Sequence, residues 1–200
     1  MSADQYSTGP ASVVAVASSA GGVQGLIALL GAWGPELPVP VLVVQHLDPH
    51  HRTVLADVLS RRTELPVKLA EDGERAVPGT VHLAPPDRHL LVGPGGVLTL
   101  TATEAVHFVR PSADLLFRSV ADTYGPGGIA CVLTGTGVDG AAGAEAVGGR
   151  GGTVIAQDPR SADFPGMPQA AVDTGAVGFV LPLEQIAEFV RDLVEAKRQG

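Results

Sequence analysis

Val13-Val14-Ala15-Val16-Ala17-Ser18-Ser19-Ala20-Gly21-Gly22 is the stretch on which the architecture of this chain turns. An unbroken run of valine and alanine has the character of a strand buried on both faces, as in a parallel sheet. Gly21-Gly22 then marks a sharp exit into a helix, because glycine accepts backbone angles that other residues resist. A serine at such a bend is lifted off the strand end. The first N–H groups of the following helix point toward it, where an oxyanion would form.

The same alternation continues outward from this unit. Strands are expected at Val13–Ala17, Val39–Gln45, Val67–Ala70, Val81–Ala84, Ile129–Leu133, Thr153–Gln157 and Gly178–Leu181. Between them, Val23, Leu26, Ile27 and Leu30 recur at helical spacing and predict one buried face, and Val54, Leu55, Val58 and Leu59 do the same. Ser112 is placed to cap a helix running through Leu115, Leu116, Val120 and Ala121, with Asp114 in its first turn favouring the positive end of the dipole. A last helix runs from Leu183 to about Lys197. Leu90–Val92 and Val97–Leu100 flank Gly93-Pro94-Gly95-Gly96 and predict a hairpin. The expected fold class is α/β: a doubly wound, mainly parallel sheet of about seven strands, helices on both faces, and an attached antiparallel hairpin. Residues 1–10 read as a flexible tail and 11–200 as a single domain.

Composition narrows the function. The net charge is −8 and no basic run exceeds Arg61-Arg62, which argues against nucleic acid as a partner. No apolar stretch approaches the roughly 20 residues that span a bilayer, and the N-terminus lacks the pattern of a secretory signal, so no membrane insertion is expected. One cysteine, Cys131, excludes an internal disulfide, fits a reducing cytoplasm, and lies in an apolar run that predicts an inert, buried thiol. Asp48, His50 and His51 have no matching distant cluster, so no metal site is expected. His82 falls within a strand and is expected to be satisfied in the core, and Glu71-Asp72-Gly73-Glu74 to be a solvated acidic turn.

In doubly wound sheets ligands sit beyond the carboxyl ends of the strands. Three chemical groups follow such ends: Ser19, His46 after Pro40–Gln45, and Asp139 in Leu133-Thr134-Gly135-Thr136-Gly137-Val138-Asp139-Gly140. A hydroxyl attacks poorly until a base removes its proton, and a neutral imidazole suits that task. A carboxylate on the far side of the imidazole fixes its tautomer and orientation. Each group also has another reading. Ser19 before two glycines fits a phosphate cradle or a plain turn, although the G-x-G-x-x-G spacing is absent. His46 can be structural, and Asp139 can cap the helix that follows it.

Further motifs bring in a resemblance. Ser19-Ala20-Gly21-Gly22, Gln45-His46, Glu71–Glu74, Ala84-Pro85-Pro86-Asp87-Arg88-His89, Arg110-Pro111-Ser112-Ala113-Asp114-Leu115-Leu116-Phe117, Leu133-Thr134-Gly135 with Asp139–Gly143, and Gly166-Met167-Pro168 resemble the catalytic domain of the CheB protein-glutamate methylesterases, in family order over roughly residues 12–195. The resemblance implies a doubly wound α/β fold and a serine hydrolase needing no cofactor or metal. It implies Ser19 as nucleophile, His46 as base and acid, Asp139 as orienting carboxylate, and backbone N–H groups of Ala20 and Thr136 as oxyanion donors. The implied substrate is a γ-glutamyl methyl ester on the cytoplasmic region of a chemoreceptor or similar signalling protein, with glutamine deamidation in some members.

Many members carry Thr where this chain has Ala20 and Met where it has Thr136, which implies altered efficiency with the triad intact. The family also carries an N-terminal receiver domain, whereas only about ten residues precede the first strand here. Constitutive activity, or control by a separate protein, is the expectation that follows. The alternative is a non-catalytic regulatory or binding module that retains the fold.

Overall fold

The computed structural model describes residues 12–46 and 53–199. All seven expected strands form, each within two residues of its expected ends, as β1 (Val13–Ser18), β2 (Val41–Gln45), β3 (Val67–Leu69), β4 (Val81–Leu83), β7 (Gly128–Val132), β8 (Thr153–Gln157) and β9 (Phe179–Leu181). The hairpin is β5 (His89–Gly93) with β6 (Val97–Thr101), paired antiparallel as a separate two-stranded sheet. The helices are α1 (Gly22–Gly31), α2 (Leu55–Ser60), α3 (Ala113–Tyr124), α4 (Ala141–Gly149), α5 (Gly166–Asp173) and α6 (Leu183–Gln199).

The large sheet runs β3-β4-β2-β1-β7-β8-β9, every pair parallel. The chain enters at its centre with β1, passes through β2 to the edge strand β3, comes back as β4 between them, then returns beside β1 as β7 and winds to the other edge through β8 and β9. The winding reverses between β1 and β7, which is where an open α/β sheet leaves its crevice.

Two apolar layers sandwich the sheet, because successive residues of a strand face opposite sides. Val14 and Val16 pack with Leu26, Leu29 and Leu30 of α1, Leu55 and Leu59 of α2, and Ile186, Val190 and Val194 of α6. Val13, Ala15 and Ala17 face the other layer, with Leu116, Phe117 and Val120 of α3, Val147 of α4, Met167 of α5, and Leu90 and Leu98 of the hairpin. Each such fully buried large side chain contributes about 1.5–3 kcal/mol. Cys131 is buried within β7, and burial pushes its thiol up to about 12.

Some expectations are corrected. In α2 only Leu55 and Leu59 are buried; Val54 and Val58 are exposed, because a six-residue helix has too narrow a contact face to bury four apolar residues. A helix does follow Asp139, as α4, whereas the short α5 has no counterpart among the sequence expectations. Glu74 is not a solvated turn residue: it accepts from Lys68 Nζ (2.6 Å) and meets Nδ1 of the buried His82 (3.2 Å). His82 is satisfied in the core as expected, its Nε2 accepting from the Val77 N–H. The tail at residues 1–10 and the Asp48, His50, His51 group lie outside the described residues.

Candidate active site

Parallel pairing aligns three strand ends at the carboxyl edge of the sheet. Ser18 pairs with Gln45 and Ala17 with Val132, so the chain leaves β1, β2 and β7 at one level. The Ser19 N–H donates to the Thr134 carbonyl (3.0 Å) and the His46 N–H to the Ser18 carbonyl (3.1 Å), which continues the ladder one step beyond each strand. Gln45 locks the rim. Its Nε2 donates to the carbonyls of Ser19 (2.8 Å) and His46 (3.0 Å), and its Oε1 accepts from Ser18 Oγ (2.6 Å). Gly22 is required beneath it, since a Cβ there would lie 2.4 Å from Gln45 Oε1. Gly21 holds a φ of 73° at the start of α1.

His46 and Asp139 are in direct contact, with Nε2 2.8 Å from Oδ2. Asp139 is buried and does more than face the imidazole. Its Oδ2 also accepts from the Ala113 N–H (2.6 Å), and its Oδ1 from Ser112 Oγ (2.7 Å) and the Asp114 N–H (3.1 Å). Burial alone would raise its pKa, but the His46, Ala113, Asp114 and Ser112 hydrogen bonds outweigh burial and hold the carboxyl below the ordinary aspartate value. It stays ionised, as an orienting carboxylate must.

This corrects two expectations. The Ser112 hydroxyl makes no cap on α3; it donates to Asp139, and the Asp139 carboxylate satisfies the orphan N–H groups at that helix start. Nor does Asp139 cap the helix that follows it. The buried Asp114 does so, its Oδ1 accepting from the N–H groups of Gly140 (3.0 Å) and Gly143 (2.7 Å). The two aspartates exchange caps: each sits at the start of the helix that the other's segment leads into.

Ser19 is half-buried on the same rim, and among the described residues no hydrogen bond joins its Oγ to His46. Gly135 makes room for it: a Cβ on Gly135 would lie 2.9 Å from Ser19 Cβ and 2.3 Å from Met167 Sδ. The loop after β7 is pinned by Thr134, whose Oγ1 donates to the Ala20 carbonyl (3.1 Å) and accepts from the Phe164 N–H (2.9 Å). Among the described residues no hydrogen bond takes the N–H groups of Ala20 and Thr136. A cleft of about 270 Å³ opens beside His46, lined also by Asp87, Ala105, Phe108, Val109, Arg110 and Pro111.

A hydroxyl, an imidazole held by a buried carboxylate, and spare backbone donors form the pattern of acyl-transfer chemistry. The model of the CheB methylesterase family matches residues 14–190. The chain belongs to the CheB methylesterase family. The crystal structure of the Thermotoga maritima CheB methylesterase catalytic domain superposes with a TM-score of 0.87 at 37% identity, covering 91% of this chain and 98% of that one. A Myxococcus xanthus protein-glutamate methylesterase/protein-glutamine glutaminase is 44% identical over 175 residues, which are 88% of this chain and 50% of the relative. A Pyrococcus abyssi protein of the same designation is 38% identical over 190 residues, covering 94% of this chain and 52% of its own length. The chain thus spans about half the length of the curated relatives it matches.

Residue-by-residue reading does not foresee the positioning contacts of Gln45, Ser112 and Asp114. Ser112 and Asp114 had a signal, since both stand in the first turn of a helix. Nothing local showed that their partner would come from a loop after β7.

Proposed function

We propose that this CheB methylesterase domain, residues 11–200, hydrolyses γ-glutamyl methyl esters on a protein by two-step acyl transfer, and deamidates glutamine side chains by the same route. The observation that carries this reading is the 2.8 Å contact of His46 Nε2 with a buried Asp139 carboxylate, on the rim where Ser19 leaves β1. Asp139 accepts a hydrogen bond from His46 Nε2–H, which leaves the Nδ1 lone pair for the Ser19 hydroxyl. Ser19 Oγ attacks the ester carbonyl as Nδ1 takes its proton. The C–O bond to methanol breaks as the same proton passes to the leaving oxygen. Water then attacks the acyl-enzyme by the same exchange and releases a glutamate and the free serine.

The N–H groups of Ala20 and Thr136 hold the oxyanion, and each such donor is worth about 3–4 kcal/mol in the transition state. Both are backbone groups, so neither depends on which side chain the position carries. The substrate is the methylated cytoplasmic region of a chemoreceptor or similar signalling protein, which places the enzyme in the cytoplasm. In support, no helix among the described residues is long and apolar enough to cross a membrane.

The test is methanol release from a methylated receptor, with Ser19→Ala beside the wild type. The variant should lose about 10⁶ in rate, and a serine-directed fluorophosphonate should label the wild type at Ser19 alone. Methanol release by Ser19→Ala at near wild-type rate would sink the assignment. Failure of the probe to label Ser19 would favour a binding module.

A further inference from the structure

The segment between β6 and α3 carries a feature that the hydrolytic machinery does not use. Val106 and Val109 exchange both backbone hydrogen bonds (3.1 and 2.9 Å), closing a two-residue turn whose tip is His107-Phe108. Both tip residues are left-handed, at φ 50° and 65°. A turn with positive φ at both central positions is where Asn-Gly is favoured, and a bulky side chain there is strained. His107 is tethered, its Nε2 3.1 Å from Asp114 Oδ2. Phe108 is not: its side chain is fully exposed. A strained backbone that presents an unburied aromatic contributes nothing to the core. Such strain gathers at ligand clamps.

Its location says what it clamps. Phe108 lines the same cleft as His46, so a polypeptide delivering an ester to the rim must cross the Phe108 tip. Two more exposed apolar side chains stand on loops of the site: Val138, next to Asp139, and Phe164, whose carbonyl accepts from the Gly135 N–H. Ionic recognition is disfavoured here. The chain carries −8, an esterified glutamate is neutral, and the Arg110 guanidinium in the cleft is engaged by Asp87 and the Thr103 carbonyl.

We propose that Phe108 is the specificity-determining contact of the site, gripping an apolar side chain that flanks the esterified glutamate of a polypeptide substrate. This rests on the hydrolase reading above and adds the side chain that separates protein esters from small ones.

The test uses two synthetic helical peptides, each with one γ-glutamyl methyl ester, flanked one turn away by leucine in the first and by serine in the second. p-Nitrophenyl acetate serves as the small ester. Phe108→Gly should raise Tm by relieving the turn, while kcat/KM on the leucine peptide falls about tenfold to a hundredfold, the range that loss of one buried aromatic gives. The loss should lie in KM. The serine peptide and p-nitrophenyl acetate should be turned over as by the wild type, and Phe108→Leu should restore most of the loss. Equal kcat/KM of Phe108→Gly and wild type on the leucine peptide would overturn the proposal, as would a proportional loss on all three esters. In both cases the hydrolase reading survives. A wild-type protein that cleaves none of the esters overturns that reading, and this proposal with it.

Discussion

Replacing Asp139 by Asn keeps the shape of the side chain and removes only its charge and one acceptor, so its effect can be worked from the four bonds it makes. Oδ2 receives the His46 Nε2–H and the Ala113 N–H; Oδ1 receives Ser112 Oγ–H and the Asp114 N–H. An amide offers an acceptor at one of these positions and a donor at the other. If its NH₂ takes the Oδ2 place, it meets two donors: the Ala113 bond is lost and His46 must switch tautomer, moving its proton to Nδ1, where a base is needed. If NH₂ takes the Oδ1 place, the Asp114 N–H is orphaned and Ser112 must turn from donor to acceptor. Either way one charge-assisted bond is lost and a second survives only by reversing its direction, and the lost bond is worth about 1.5–3 kcal/mol. That loss lowers Tm by about 3–12 °C in a chain of this size. Activity on a small ester should fall by up to about 10⁴-fold, the cost of the wrong tautomer in such triads, reached where NH₂ takes the Oδ2 place. Acid should also separate the two proteins. The folded pKa of Asp139 lies below its ordinary 3.8, so the stability it contributes is present above that pH and is lost as pH falls through the folded value. Wild-type Tm should therefore drop more steeply than that of Asp139→Asn in this acid range. A variant with unchanged Tm and activity within about tenfold of wild type would refute the double role assigned to this carboxylate.

Two further outcomes follow from the packing. Gly135→Ala pushes a methyl group into Met167 Sδ and Ser19 Cβ, so it should destabilise by about 1–3 kcal/mol and cut fluorophosphonate labelling of Ser19; unaltered labelling would show that the approach is not tight. His82 is held neutral by burial, against the opposing pull of Glu74, so its folded pKa lies below the unfolded 6.5. The unfolded chain therefore takes up its proton first, and stability should fall as pH drops below that value. His82→Gln should flatten this slope in a Tm series between about pH 5 and pH 7, and an identical slope in both proteins would assign the effect elsewhere.

Strand positions were readable because a parallel sheet buried on both faces leaves a continuous apolar run, and Val13–Ser18 or Ile129–Val132 admits little else. The hairpin was readable from Gly93–Gly96 for the complementary reason, a turn that demands special backbone angles. Helix α4 showed only as the helix after Asp139, its Gly and Ala leaving weak periodicity while its burial is decided by α3 packing across it, and α5 did not show at all. Ser19, His46 and Asp139 could be placed at strand ends from local pattern, yet strand order alone decides that β1, β2 and β7 are neighbours. Register then brings His46 to Asp139 across 93 positions of sequence. Likewise, Asp114 carries the local sign of a helix-start residue, which is correct, but the N–H groups it accepts from belong to another helix.

The exchanged caps tie the chemistry of the site to the stability of the fold. On the proposed mechanism Asp139 must be charged and immobile to orient His46, and a buried carboxylate is costly unless several donors face it. The start of α3 supplies these donors already aligned, along with the positive end of its dipole. In return α3 delivers Asp114 to the start of α4, which fixes the loop from Thr134 to Gly140 that carries Asp139 itself. Loosening either helix start therefore releases both. Preorganisation of the imidazole and closure of the β7–α4 connection are one structural event.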